Sequence, residues 1–161
     1  MKSAIRLLCD EMLASLARWL RAAGHDTELA APATPDIRLI DQCRSGRRVL
    51  LTRDRRLAEV AGRVVTSVLL PPEDLDEQAA FLAEELKLEW LAAPFSRCMV
   101  DNELLQAAEA GDFERVLAPA RGDAPVMKCP VCARVYWQGG HAVRMLARLR
   151  RWRENSLSEK R

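Results

Sequence analysis

The sequence predicts an α/β fold: a parallel sheet covered by helices on both faces, in three layers, followed by a small cysteine-bearing module. Three observations carry this. Apolar strand-like runs take turns with helical stretches up to about residue 90. The runs are continuous rather than alternating, as strands buried on both faces require. Acids, prolines and glycines stand where helices should open or close.

Residues 4–9 read as the first strand, ending in Leu7, Leu8 and Cys9. "EMLASLARWLRAAG" then reads as a helix, because Leu13, Leu16, Ala17 and Leu20 fall on one stripe. Gly24 stands where a helix-closing glycine belongs. "APATP" is a loop, and "DIRLIDQCRSG" is a helix with Asp36 as its N-cap and Gly46 closing it. "RRVLLT" is the next strand, and "DRRLAEVAG" a short helix opened by Asp54. "RVVTSVLL" is a third strand, and "PPEDLDEQAAFLAEELKLEW" a helix behind a double proline. This organisation gives an α/β unit over residues 1–90, a cysteine module over 91–140, and a basic helix and tail over 141–161. In the helix, "HAVRMLARLRRWR", we expect Val143, Leu146, Leu149 and Trp152 on one side.

The chain has 161 residues, 49% of them hydrophobic and 30% charged, which fits a packed core rather than a disordered chain. Its net charge of +2 is unevenly spread: residues 139–161 carry seven Lys/Arg against two Asp/Glu. A basic tail on a mildly acidic body suggests a polyanion contact or a solvated helix face. The N-terminal apolar stretch is too short for a signal peptide and is cut by Asp10 and Glu11. No run is long enough to cross a bilayer, so no membrane partner is expected. Five cysteines with a single C-x-x-C argue against a disulfide framework and for a reducing cytoplasm. No phosphate-binding glycine loop is present, so no nucleotide cofactor is expected. A phosphoryl-accepting receiver is discounted, because none of the four lysines (Lys2, Lys87, Lys128, Lys160) follows a late strand.

Two strand-like runs end in an aspartate, Asp10 and Asp54, and Asp36 heads a helix that could start on the same edge. Ligands of parallel sheets bind beyond the carboxyl ends of the strands. Three converging carboxylates need a cation, and their hard oxygens select Mg²⁺ or Mn²⁺. Two such ions roughly 4 Å apart can activate a water and stabilise the leaving oxygen of a phosphodiester. The plainer account is that Asp36 and Asp54 are helix caps, a role worth about 1 kcal/mol. Asp10 has no such plain account. Asp41 is expected on the surface, and Glu73 and Asp74 are expected to cap a helix.

Cys129-x-x-Cys132 has the spacing with which two thiolates grip one tetrahedral zinc. Cys9 and Cys43 are expected to be buried small side chains. His25 and His141 have no serine or cysteine at a nucleophile–base spacing, so a Cys-His hydrolase is not expected.

The ordered set "ARWLR", "LLTRD", "VLLPPEDLDEQ", "FSRC" and "KCPVCARVYWQGGH" resembles the PIN-like ribonuclease family named for the C-terminal domain of mutator-seven proteins. The likeness runs through about residue 145. It implies a PIN-like sheet with an attached zinc ribbon, and metal-dependent endonucleolytic cleavage of RNA. By motif, Asp10 and Asp54 match the family's acids, and Asp36 the acid heading the middle helix. Arg18 and Arg21 belong to "ARWLR" and either meet phosphates or lie solvated opposite the leucine stripe. Arg53 and Arg55 flank a candidate ligand. The family's first knuckle is C-x-x-C, but this chain has Cys98-x-x-Asp101. A Cys98, Asp101, Cys129 and Cys132 zinc site follows, softer donors diluted by one hard oxygen. His141 as fourth ligand, or an empty module packed by Val135, Tyr136 and Trp137, stands beside it.

The leading expectation is therefore an RNA-cleaving enzyme, with Arg18, Arg53, Arg148 and Arg151 as RNA contacts. The competing one is an RNA-binding module of the same fold that has lost catalysis. The sequence specifies no protein partner.

Overall fold

The computed structural model describes residues 5–72, 74–115 and 125–158. Strand β1 (Arg6–Cys9) leads through a single 3-10 turn (Glu11–Leu13) into helix α1 (Ala14–Ala22). Strand β2 (Asp26–Leu29), helix α2 (Asp36–Gly46), strand β3 (Val49–Thr52), helix α3 (Arg55–Ala61), strand β4 (Ser67–Leu69) and helix α4 (Leu75–Glu85) follow. The four strands form one parallel sheet in the order β2-β1-β3-β4. Leu7, Cys9 and Leu51 face a core built with α1 and α4, while Leu8 and Leu50 face α2 and α3. That is the three-layer arrangement the continuous apolar runs predict.

The chain leaves β1 for β2 on one side and returns past it to β3 on the other. The order of strands thus reverses between β1 and β3, the place where parallel sheets open a crevice at their carboxyl edge.

The cysteine module holds a short antiparallel sheet of β5 (Gln106–Ala107), β6 (Met127–Lys128) and β7 (Val135–Tyr136). A second 3-10 stretch, Ala110–Arg115, lies between β5 and β6. Helix α5 (Gly140–Ser158) then returns to pack on α4. Its buried stripe is Met145, Leu149 and Trp152, while Val143 is 60% exposed and Leu146 only half-buried. The expected stripe is corrected: a spacing of i, i+4, i+7 starting at Met145 faces the core. Trp152 packs on Trp90 at 4.6 Å and Trp19 at 5.1 Å between ring centroids.

Three further corrections concern local chemistry. Strand β2 is absent from the sequence reading, because "DTEL" mixes charge with an apolar minority. Its charges are spent on ion pairs: Asp26 with Arg6 and Arg48, and Glu28 with Arg48. Asp36 is the first residue of α2 and makes no capping bond; Pro35 precedes it with extended backbone. Gly46 stays helical, and Arg47 takes the left-handed turn (φ 51°). Asp74 does cap α4, accepting from the amides of Asp76 and Glu77. Glu73 lies outside the described residues. Gly24, with φ 100°, is required twice over, since a Cβ there would stand 2.4 Å from the Ala93 carbonyl oxygen.

Arg48 is the charged pivot at the other end of the sheet. Its side chain is 4% exposed and donates to Asp26, Glu28 and the Leu7 carbonyl. Burial opposes ionisation of Asp26, but hydrogen bonds from Arg48, Asn102 and Arg6 hold its carboxyl down to about 2. A carboxyl with a lowered folded pKa stabilises fully above its unfolded value near 4 and loses that contribution as pH falls through the folded value. Urea unfolding should therefore show stability declining between pH 5 and 2. Asp26→Asn should lower stability at pH 7 by about 1–2 kcal/mol, discounted for solvent screening, and flatten that decline. An unchanged acid slope in the variant would assign the decline to other carboxyls.

Candidate active site and metal cluster

The first site is built by the ends of β1 and β3. Leu7, Leu8 and Cys9 drive β1 into the core, and the next residue, Asp10, emerges at the carboxyl edge only 7% exposed. Its amide donates to the Leu51 carbonyl at 2.9 Å, extending the β1–β3 ladder by one step. Its Oδ1 accepts from the Glu11 amide at 2.7 Å, and its Oδ2 accepts from the Thr52 hydroxyl at 2.8 Å. The same hydroxyl accepts from the Asp54 amide at 2.9 Å. Thr52, fully buried, thus binds the two candidate acids together from β3.

Asp54 also caps α3, its Oδ1 accepting from the Leu57 amide at 3.0 Å. Its Oδ2 takes no hydrogen bond from the described residues. Asp36 is exposed at the start of α2, on the same carboxyl edge. Glu11 bridges that edge, accepting from the Ala33 amide at 2.7 Å. The three aspartates do not close into a compact ligand group. Among the described residues, only Cys98, Asp101, Cys129 and Cys132 do so.

The fit to a hard divalent ion rests on two features. All donors at this edge are oxygens, which suits Mg²⁺ or Mn²⁺, ions that keep several waters and need only one or two carboxylates. Asp10 is buried with no Lys or Arg among the described residues pairing with it. A buried carboxylate without a cationic partner is costly, and a cation at the edge removes that cost.

The second site is made by two turns of the same shape. In one, the Asn102 amide donates to the Cys98 carbonyl at 3.0 Å and Asn102 is left-handed (φ 68°). In the other, the Ala133 amide donates to the Cys129 carbonyl at 3.0 Å and Ala133 is left-handed (φ 58°). Each turn presents ligands three residues apart, so Asp101 occupies the place that Cys132 holds in its turn. The four ligand atoms lie within 4.8 Å of one another. Cys98 and Cys132 sulfurs are 3.8 Å apart, and Asp101 Oδ2 is 3.4 Å from Cys129 and 3.6 Å from Cys98. A tetrahedron with metal–sulfur bonds of about 2.3 Å has edges of about 3.8 Å. The cluster has the size and donor set for a metal such as zinc. His141 is not part of it; its Nε2 accepts from Arg18 at 3.2 Å. Burial, then the Asp101 carboxylate, push the Cys132 thiol up to about 12. A cation shared by the four donors would offset the charge that three thiolates and a carboxylate would otherwise crowd together at this spacing.

Residues 5–149 match the family described as Mut7-C RNAse domain. The chain belongs to that family. No curated protein and no solved structure gives a match. Membership in the Mut7-C RNAse domain family makes the chain an RNase-domain protein, with RNA as its implied substrate class. No helix among the described residues is long and apolar enough to cross a membrane.

The arginines of this Mut7-C domain fall into three settings. Arg18 and Arg53 are exposed. Arg148 and Arg151 both bind Asp76, which also accepts from the Trp152 indole, and Arg148 lies over the Trp19 and Trp152 rings. Arg21 is neither solvated nor at a phosphate position: it is 6% exposed and donates to the carbonyls of Thr27, Met99 and Val100. That contact corrects both sequence accounts of Arg21. Cys9 and Cys43 are buried, and burial raises their thiols to about 12 and about 11.

Sequence reasoning misses Thr52, Glu11 and Asn102. Thr52 carries a faint signal: a hydroxyl two residues before a candidate ligand, at the end of an apolar strand. The cluster yields its own prediction. Asp101→Cys should tighten zinc retention and Asp101→Ala weaken it, each by on the order of tenfold or more, in chelator competition with a chromogenic dye. Equal retention in all three proteins would place the fourth ligand elsewhere.

Proposed function

We propose that the chain is a divalent-metal-dependent endoribonuclease that hydrolyses RNA phosphodiester bonds, with Asp10, Asp36 and Asp54 as its acidic site. The observation that carries the reading is the buried, cation-free Asp10 carboxylate, joined through Thr52 to Asp54 where the strand order reverses. Mg²⁺ or Mn²⁺, when bound, would supply charge to the phosphate oxygens and acidify a water. The chain's part is to aim the ligands. The Glu11 amide and Thr52 hydroxyl fix both oxygens of Asp10, so its carboxylate is oriented before substrate arrives. Asp54 keeps Oδ2 for the edge while Oδ1 caps α3. Asp36, exposed across the edge, would act through water. Arg18 and Arg53, both exposed, serve in this proposal as phosphate contacts. Arg148 and Arg151 serve only as outer contacts, because both already pair with Asp76, whose single charge offsets one of theirs.

Structural Zn²⁺ held by Cys98, Asp101, Cys129 and Cys132 belongs to the same proposal, supported by the tetrahedral edge lengths. A reducing cytoplasm belongs to the same proposal, since none of the five cysteines forms a disulfide.

Two observations favour a second reading, an RNA-binding module without catalysis: Asp54 is partly spent as a cap, and the three aspartates are not compact. Cleavage of a labelled single-stranded RNA in Mg²⁺ or Mn²⁺ separates the two. Asp10→Asn and Asp54→Asn should each slow cleavage by about a hundredfold or more while leaving RNA affinity unchanged. Wild-type protein that binds RNA and cuts none with either ion would establish the second reading.

A further inference from the structure

A cavity of about 570 Å³ lies between the cysteine module and the start of α5, within the range of roughly 300–1,000 Å³ typical of small-ligand sites. Phe95, Tyr136 and Trp137 wall it, with Met99, Met127 and Met145. A neighbouring depression of about 630 Å³ shares Tyr136 and Trp137 and is lined by Arg18 and Arg134. The Tyr136–Trp137 segment is therefore a partition, with an apolar chamber on one side and a cationic groove on the other. Arg18, in the groove, reaches His141 at the chamber.

The partition is held rigidly. Tyr136 pairs in register with Met127, and its hydroxyl lies 3.1 Å from the Cys98 sulfur while accepting from the Met99 amide at 3.3 Å. Trp137 carries an unspent donor: its Nε1–H is buried with no partner among the described residues. Neither Asp10 nor Asp54 lines either hollow.

Aromatic and thioether walls beside guanidinium groups suit one kind of ligand: a flat apolar ring joined to an anionic backbone. Bases stack on such walls, and phosphates bind such arginines. A duplex hides its base faces, so the ligand is unpaired. We propose that the chamber receives an unpaired nucleobase of single-stranded RNA, whose phosphates lie along Arg18 and Arg134. The ligand class rests on the ribonuclease reading, but the chamber is separate from the acidic edge, so the two can fail independently.

The test uses the full chain carrying Asp10→Asn, so that cleavage does not interfere with binding. The probes are a short single-stranded RNA and an abasic sugar–phosphate oligomer of equal length. The RNA should bind at least about tenfold more tightly than the abasic oligomer. Ala142→Phe, which fills the chamber from α5, should remove that difference, and Arg18→Ala should weaken both probes. Equal binding of RNA and abasic oligomer by the Asp10→Asn parent overturns the proposal, and needs no variant of the chamber to fold. A preference for RNA that survives Ala142→Phe overturns it too, placing base recognition elsewhere. If the parent shows the base preference while the wild type cuts no RNA, the chamber stands and the nuclease reading falls. Cleavage by the wild type with no base preference gives the reverse.

Discussion

The register of β1 against β3 decides where the acids stand. Leu8 opposes Leu50 and Cys9 opposes Leu51, so Thr52 comes level with Asp10. A slip of one residue would turn Thr52 to the other face and bring Leu51 or Arg53 to its place. The two leucine runs prevent that slip, because Leu7 and Leu51 must enter one core while Leu8 and Leu50 enter the other. The hydroxyl that joins the Asp10 carboxylate to the Asp54 amide is thus a consequence of packing set several residues away.

The cysteine module is tied to the sheet by polar groups rather than by a broad apolar seam. Asn102 donates to Asp26 and accepts from the Thr27 amide, taking up a free hydrogen-bonding position of the edge strand β2. Arg97 donates to the carbonyls of Gly24 and Asn102. Asn102 is also the left-handed residue that closes the Cys98 turn, so one side chain serves the ligand geometry and the sheet edge together. Helix α5 closes the assembly from the other side through Leu149 and Trp152.

Much of this was legible in the sequence, and the failures share a cause. The Leu13, Leu16 and Leu20 stripe and the caps Asp54 and Asp74 depend on neighbours within one turn, and they read correctly. The spacing of Cys129 and Cys132 also marked them as ligands, because three-residue spacing is local chemistry, whereas Cys98 and Asp101 came only from the resemblance to the family's first knuckle. Strand β2 could not be read, since Asp26 and Glu28 become tolerable in a sheet only beside Arg48, about twenty residues on. Arg21 looked like any helix-surface arginine, because the carbonyls it binds belong to a turn far along the chain. The stripe of α5 was misplaced because Val143 and Met145 fit helical spacing equally well, and only the position of α4 chooses between them. The spread of Asp10, Asp36 and Asp54 was likewise invisible, because loop paths set carboxylate separations.

Arg21 links two things that look unrelated. Its guanidinium joins α1, which begins four residues after Asp10, to the Met99 and Val100 carbonyls inside the turn that carries Cys98 and Asp101. A cation held by that turn would therefore sit in a segment already moored, through one buried guanidinium, to the helix that follows Asp10. If the two were coupled, the coupling would be reciprocal: whatever loosened the helix would loosen the grip on the ion by the same free energy.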